Sequence, residues 1–116
     1  MITLILSHGG PSRPLHFDRK LITIGRTKDS IIALNDKKVS RAHAKIELAG
    51  AVWKIEDLNS GNGTKVNGLR VDVHELAIED VIRIGDAELV VKAIEVDADD
   101  GGSSARTTDL NIEAID

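Results

Sequence analysis

An all-β fold, a sandwich or a barrel, is what this sequence predicts, and three observations predict it. The apolar residues recur with a period of two rather than 3.6, the spacing that lines one face of a pleated strand. The short apolar runs are rich in Val and Ile, whose branched side chains suit a sheet surface. Between the runs stand clusters of Gly, Pro, Asn, Asp and Ser, the residues that punctuate a chain of short strands.

In chain order, the first run is Ile2–Leu6, closed by the turn residues Gly9-Gly10-Pro11. Leu21–Ile24 follows and ends on Gly25-Arg26; Ile31–Leu34 comes next. Val39-Ser40-Arg41-Ala42-His43 leads into the run Ala44–Leu48, which Ala49-Gly50 ends. In Val52–Ile55, Trp53 and Ile55 alternate with Lys54 and Glu56, so Trp53 is expected to face inward. A turn-rich stretch, Asn59-Ser60-Gly61-Asn62-Gly63, comes next. Asn67-Gly68 then gives the strongest hairpin signal in the chain, because both residues accept the positive φ of a tight turn. The acidic stretch Val71–Asp80 reads as loop with at most a short strand. Val81–Ile84, the turn Gly85-Asp86 and Leu89–Val96 complete the pattern.

From Asp97 the pattern gives way to Asp-Ala-Asp-Asp-Gly-Gly-Ser-Ser, too polar to offset the entropy of ordering it. The expected organisation is therefore one domain over 1–96 and a flexible acidic tail over 97–116. The tail holds six acids and one base; the other 14 bases and 13 acids leave the body at +1 and the whole 116-residue chain at −4. A nearly neutral body argues against general nucleic-acid binding, which draws on many Lys and Arg contacts to phosphate. One Phe, one Trp and no Tyr leave little for bases to stack on. The composition, 41% hydrophobic and 29% charged, suits an ordinary globular domain. With no Cys there is no disulfide framework, thiolate nucleophile or Cys-based metal site. No apolar run approaches the roughly 18 residues of a membrane helix, and Met1–Ser7 lacks the basic start of a signal peptide; a cytoplasmic location is expected.

Other fragments of motifs carry no chemistry. Ser7-His8-Gly9-Gly10 has no nucleophile elbow to accompany it, and Gly61-Asn62-Gly63-Thr64-Lys65 lacks the Gly-Lys-Ser/Thr order of a P-loop. The histidines at 8, 16, 43 and 74 form no close pair at metal-ligand spacing. No metal, no cofactor and no enzymatic activity are expected; a small hydrolase would need a nucleophile–base arrangement that the chain does not offer.

Three clusters do point to a site. Arg26 follows a strand-ending Gly, and its planar fork of donors suits phosphate. Ser40 adds a hydroxyl and Arg41 a second cation. Asn62 carries an amide that can both donate to and accept from a peptide backbone. Two Arg, a Ser and a loop Asn on a rigid β scaffold make a small anion site with backbone readout.

The ordered set Gly25-Arg26, Ser40-x-x-His43 and Asn62-Gly63-x-x-x-Asn67-Gly68, with Trp53 four residues before Asp57, resembles the forkhead-associated (FHA) domain over roughly residues 2–95. That resemblance implies a β-sandwich of about eleven strands whose loops at one end bind phosphothreonine in an extended peptide. By motif position, Arg26 and Ser40 would contact the phosphate, with Arg41 as a third contact, and Asn62 would bond the peptide backbone. His43 would tie the loops together, and Gly25, Gly63, Asn67 and Gly68 would set backbone shape. Lys38 stands where the family often reads the side chain three positions after the phosphothreonine, and a Lys would favour an acid there. Gly61 departs from the Ser or Thr common in relatives and loses a side-chain contact near the peptide.

The resemblance also implies partners: a phosphothreonine-containing protein or peptide and a Ser/Thr protein kinase, with neither nucleic acid nor membrane. Thr107 and Thr108 in the tail are candidate phosphorylation sites. Captured by the same site, a phosphorylated tail would act as an internal ligand or join neighbouring chains, so a monomer or tail-mediated self-association is expected. The alternative is an FHA-like scaffold that binds partners without phosphate.

Overall fold

Period-two alternation becomes eleven strands in the computed structural model, which describes residues 1–95; the expected tail over 97–116, with Thr107 and Thr108, lies outside the described residues. The strands are β1 (Ile2–Ser7), β2 (Arg13–Phe17), β3 (Leu21–Gly25), β4 (Ile32–Ala33), β5 (Ala44–Ala49), β6 (Val52–Asp57), β7 (Thr64–Val66), β8 (Leu69–Val71), β9 (Val73–Glu75), β10 (Val81–Ile84) and β11 (Ala87–Ile94). None of the described residues is helical, so no helix there is long and apolar enough to cross a membrane.

They form two sheets, one of six strands in the order β2-β1-β11-β10-β7-β8 and one of five in the order β4-β3-β5-β6-β9. Neighbours are antiparallel except β3 and β4, where Ile24 pairs with Ile32 in parallel. The core lies between the inner faces. Ile2, Leu4, Leu6, Val66, Ile82, Ile84, Leu89 and Val91 come from the larger sheet, and Ile22, Ile24, Ile46, Trp53 and Ile55 from the smaller. Trp53 is 2% exposed, facing inward as its alternation predicts. Burying such side chains contributes roughly 1.5–3 kcal/mol apiece, which is how an alternating pattern fixes which face of each strand points inward.

Two stretches differ from the sequence reading. β2 was not expected, because Arg13-Pro14 interrupts any apolar pattern; it forms at the edge of the six-stranded sheet, where Pro is tolerated. The stretch expected as loop with at most a short strand, Val71–Asp80, holds the end of β8 and the three-residue β9. Both are edge strands with largely exposed side chains, so no buried face marks them in the sequence. Asn67-Gly68 does join β7 to β8 with both residues at positive φ (53° and 85°). Asn67 also has a second role: its amide donates to Asp80 and accepts from the Val81 N–H, both at 2.9 Å.

Candidate functional site: three loops fastened at one end of the sandwich

The loops after β3, before β5 and after β6 emerge at one end of the sandwich, together with the β10–β11 turn. Met1 and Glu95 meet at the other end, where the Glu95 N–H donates to the Met1 carbonyl at 2.7 Å.

Gly25 is required for space rather than for a left-handed backbone. A Cβ there would overlap the Arg41 carbonyl oxygen and press on Ser30. That close approach brings the two loops together, and the Arg26 N–H donates to the Ser40 carbonyl at 3.1 Å. Arg26 and Arg41 are exposed, and among the described residues neither is in a salt bridge. Both guanidinium forks thus keep their charge available to an anion.

Ser40 reaches the third loop. Its Oγ accepts from the Gly61 N–H at 3.0 Å, and Asn62 Nδ2 donates to the Lys38 carbonyl at 2.8 Å. The structure therefore brings Arg26, Lys38, Ser40 and Asn62 into one hydrogen-bonded group. One amide hydrogen of Asn62 is committed to Lys38, leaving its other hydrogen and its carbonyl oxygen. Arg41 sits at the side of this group, where it lines a shallow recess with Thr27, Ser30 and Leu58. Lys38 is not a free cation: its Nζ lies 2.9 Å from Asp86 Oδ1, both side chains about 60% exposed.

His43 fastens the arrangement from inside. It is fully buried, its Nδ1 accepts from the Ser40 N–H at 3.1 Å, and its Nε2 stands 2.9 Å from the Gly63 carbonyl. Because Nδ1 accepts, Nε2 carries the hydrogen and donates, so the two partners fix the tautomer. His43 thus bonds to backbone of both the loop before β5 and the loop after β6.

Sequence reasoning missed two further fasteners. Asp57, at the end of β6, accepts from the Ser60 N–H (3.0 Å), the Ser60 hydroxyl (2.6 Å) and the Thr64 hydroxyl (2.7 Å). Ser60 Oγ in turn accepts from the Gly63 N–H at 2.9 Å, and Gly63 takes a φ of 86°. Burial alone would raise the Asp57 carboxyl, but the donors of Ser60 and Thr64 outweigh it and hold the group below the usual range. The signal was present: an Asp at a strand end with Ser three residues on is a loop-closing pattern. The second fastener is Asp36, which accepts from the Lys38 N–H (2.9 Å), the Asp86 N–H (2.8 Å) and faces His8 Nε2 (3.2 Å). The backbone donors of Asp86 and Lys38, with His8, hold its carboxyl down to about 2. Besides Lys38, two residues on, its partners lie 28 and 50 residues away, which no local pattern announces.

One end of the β-sandwich thus carries exposed guanidinium groups, a half-buried hydroxyl and an amide, braced by a buried His and two buried or half-buried carboxylates. Comparison with known proteins gives the family: the FHA domain model matches residues 22–85, and the chain belongs to the FHA domain family. The chain is 46% identical over 69 residues to the FHA domain-containing protein FhaA of Mycobacterium tuberculosis, covering 60% of this chain and 13% of that one. It is 38% identical over 104 residues to the glycogen accumulation regulator GarA of Mycolicibacterium smegmatis, covering 88% of this chain and 65% of GarA. The chain thus spans less than two thirds of the length of these relatives. The FHA domain of FhaA, solved in complex with the intracellular domain of Rv3910, superposes with a TM-score of 0.72 at 40% identity over 79% of this chain and all of that one. A domain solved in a study of phosphothreonine-dependent FHA interactions gives 0.70 at 40% identity over 82% of this chain and 98% of that one. The two-sheet, eleven-stranded sandwich is the fold these neighbours share.

Proposed function

We propose that this FHA domain is a phosphothreonine-dependent peptide-binding module that recruits or regulates protein partners in cytoplasmic Ser/Thr-kinase signalling. The observation that carries the reading is the hydrogen-bonded group of Arg26, Ser40 and Asn62 with Arg41 beside it. Arg26, Arg41 and the Ser40 hydroxyl offer donors to a phosphate, and the free half of the Asn62 amide offers a peptide backbone one donor and one acceptor. The neighbour from the study of phosphothreonine-dependent interactions supports the ligand class, and the FhaA complex supports a protein partner.

The test is a titration with matched phosphothreonine, phosphoserine and unmodified peptides, followed by amide NMR. Only the phosphothreonine peptide should shift Arg26, Ser40, Arg41 and Asn62. Arg26→Ala should weaken it by about 1.5–3 kcal/mol, the worth of a hydrogen bond to a charged group. Equal binding of the unmodified peptide, or indifference to Arg26→Ala, would favour a scaffold that binds without phosphate.

A phosphorylated Thr107 or Thr108 is a candidate internal ligand. The chain leaves β11 at the end of the sandwich away from the loops, so self-capture must cover the length of that eight-residue strand, roughly 27 Å. Thr107 lies twelve residues beyond Glu95, a contour of roughly 40 Å. The length suffices for capture within one chain and equally for capture by a neighbour. Tail phosphorylation should then lower the affinity for an external phosphopeptide, and an unchanged affinity would sink self-capture.

A further inference from the structure

A row of basic residues crosses the outer face of the six-stranded sheet. Arg70, Lys65 and Arg83 stand directly opposite one another on β8, β7 and β10, and all are exposed. Like charges directly opposite destabilise a ladder, and this row persists in a chain whose net charge is −4. Glu88 on β11, opposite Arg83, ends the row with its carboxylate 3.6 Å from that guanidinium.

The row runs into the loop end. Lys65 and Arg83 line a recess of about 220 Å³ with Lys38, Asn62, Gly63 and Gly85. Arg70 lies over the same loop: a Cβ on Gly63 would meet its Nε at 2.7 Å. Of the four cations, Lys38 is held by Asp86 and Arg83 by Glu88. Lys65 and Arg70 have no acidic partner among the described residues. Two positive charges are left uncompensated beside Asn62, which belongs to the phosphothreonine loop as well.

We propose that this recess takes a second phosphoryl group on the same peptide, so that the domain prefers doubly phosphorylated partners. The inference rests on the phosphothreonine reading above. A phosphate brings close to two negative charges and three acceptor oxygens, which match the two uncompensated cations and the paired ones behind them better than a single carboxylate does. Gly61, which bonds Ser40, is followed directly by Asn62, which lines the recess. An extended peptide advances about 3.3 Å per residue, so the second phosphate should sit roughly two to five residues from the phosphothreonine.

Fluorescence anisotropy with labelled phosphothreonine peptides tests it. A phosphoserine is placed two to five residues to either side, with Ser and Glu at the same position as controls. At one spacing the second phosphate should tighten binding about tenfold over Ser, as expected of a few partly exposed cation contacts. Lys65→Gln with Arg70→Gln should remove that gain while leaving the singly phosphorylated peptide within about twofold, which also shows that the variant folds. No gain at any spacing, a gain that survives the double variant, or the same gain from Glu would each overturn the proposal while the phosphothreonine reading stands. Displacement of the second phosphate by an oligonucleotide at comparable concentration would overturn it in favour of nucleic acid. If no phosphopeptide binds, the underlying reading fails and this proposal fails with it.

Discussion

Replacing His43 by Leu tests whether the site is fastened from inside. The side chain is fully buried and bridges the Ser40 N–H and the Gly63 carbonyl, at 3.1 and 2.9 Å. Leu fills a similar volume, so little of the change comes from a cavity. The loss comes from the two backbone groups left behind. The Gly63 carbonyl is buried and would be orphaned, at a cost of about 1–3 kcal/mol; the part-buried Ser40 N–H can recruit water, and losing its bond costs about 0.5–1.5 kcal/mol. Together the variant should lose about 2–4 kcal/mol of stability. At roughly 4–8 °C per kcal/mol for a domain of this size, its Tm should fall by about 8–32 °C. Trp53, the single Trp and a buried one, reports urea unfolding by fluorescence, and the slope with denaturant should stay unchanged. Phosphopeptide affinity measured well below the new Tm should also drop, because Ser40 and Asn62 lose their common brace. A stability loss under about 1 kcal/mol, or an intact affinity, would refute the reasoning.

Other expectations follow from the same geometry. Gly25→Ala drives a methyl group into the Arg41 carbonyl, so binding should fall by more than stability, measured by calorimetry and thermal unfolding side by side. Gly61→Thr should be tolerated, since a Cβ there meets only Ser40 Oγ at 3.9 Å and the backbone is not left-handed; it should raise phosphopeptide affinity a few-fold by adding a hydroxyl, and a loss of affinity would count against Gly61 lying beside the peptide. Asp36 is held to about 2 from an ordinary value of 3.8. A lowered folded value stabilises the fold above the unfolded pKa, and that contribution is lost as pH falls from about 4 to about 2. Acid unfolding of Asp36→Asn should therefore be flatter than wild type across that window.

What the sequence disclosed is what repeats locally or stands in a recognisable order. Val and Ile alternation showed the central strands, because those strands have one face in the core. It could not show β2, β8 or β9, whose places at sheet edges leave their side chains mostly in water. The residues proposed to face phosphate, Arg26, Ser40 and Arg41, were singled out by their order along the chain. Their braces were less legible: Asp57 acts over three and seven residues and left a trace, whereas Asp36 joins His8 and Asp86 through contacts only the folded sandwich creates. Gly25 was expected to set backbone shape; the room it leaves for the Arg41 carbonyl of another loop is visible only in the folded chain.

The distribution of partners across the site separates two jobs. The groups that hold the loops, His43, Asp57 and Ser60, bond to other residues of the same three loops and of the strands that carry them. The groups that face outward, Arg26 and Arg41, have no acidic partner among the described residues to compete with a ligand. A phosphate arriving there need not break an existing ion pair or order the backbone, so less of its binding energy is lost to reorganisation. The ends of the described chain add to this. Met1 and Glu95 meet at the opposite end of the sandwich. On the proposed reading, a face preset by its own hydrogen bonds and remote from Glu95 suits a module that recruits partners.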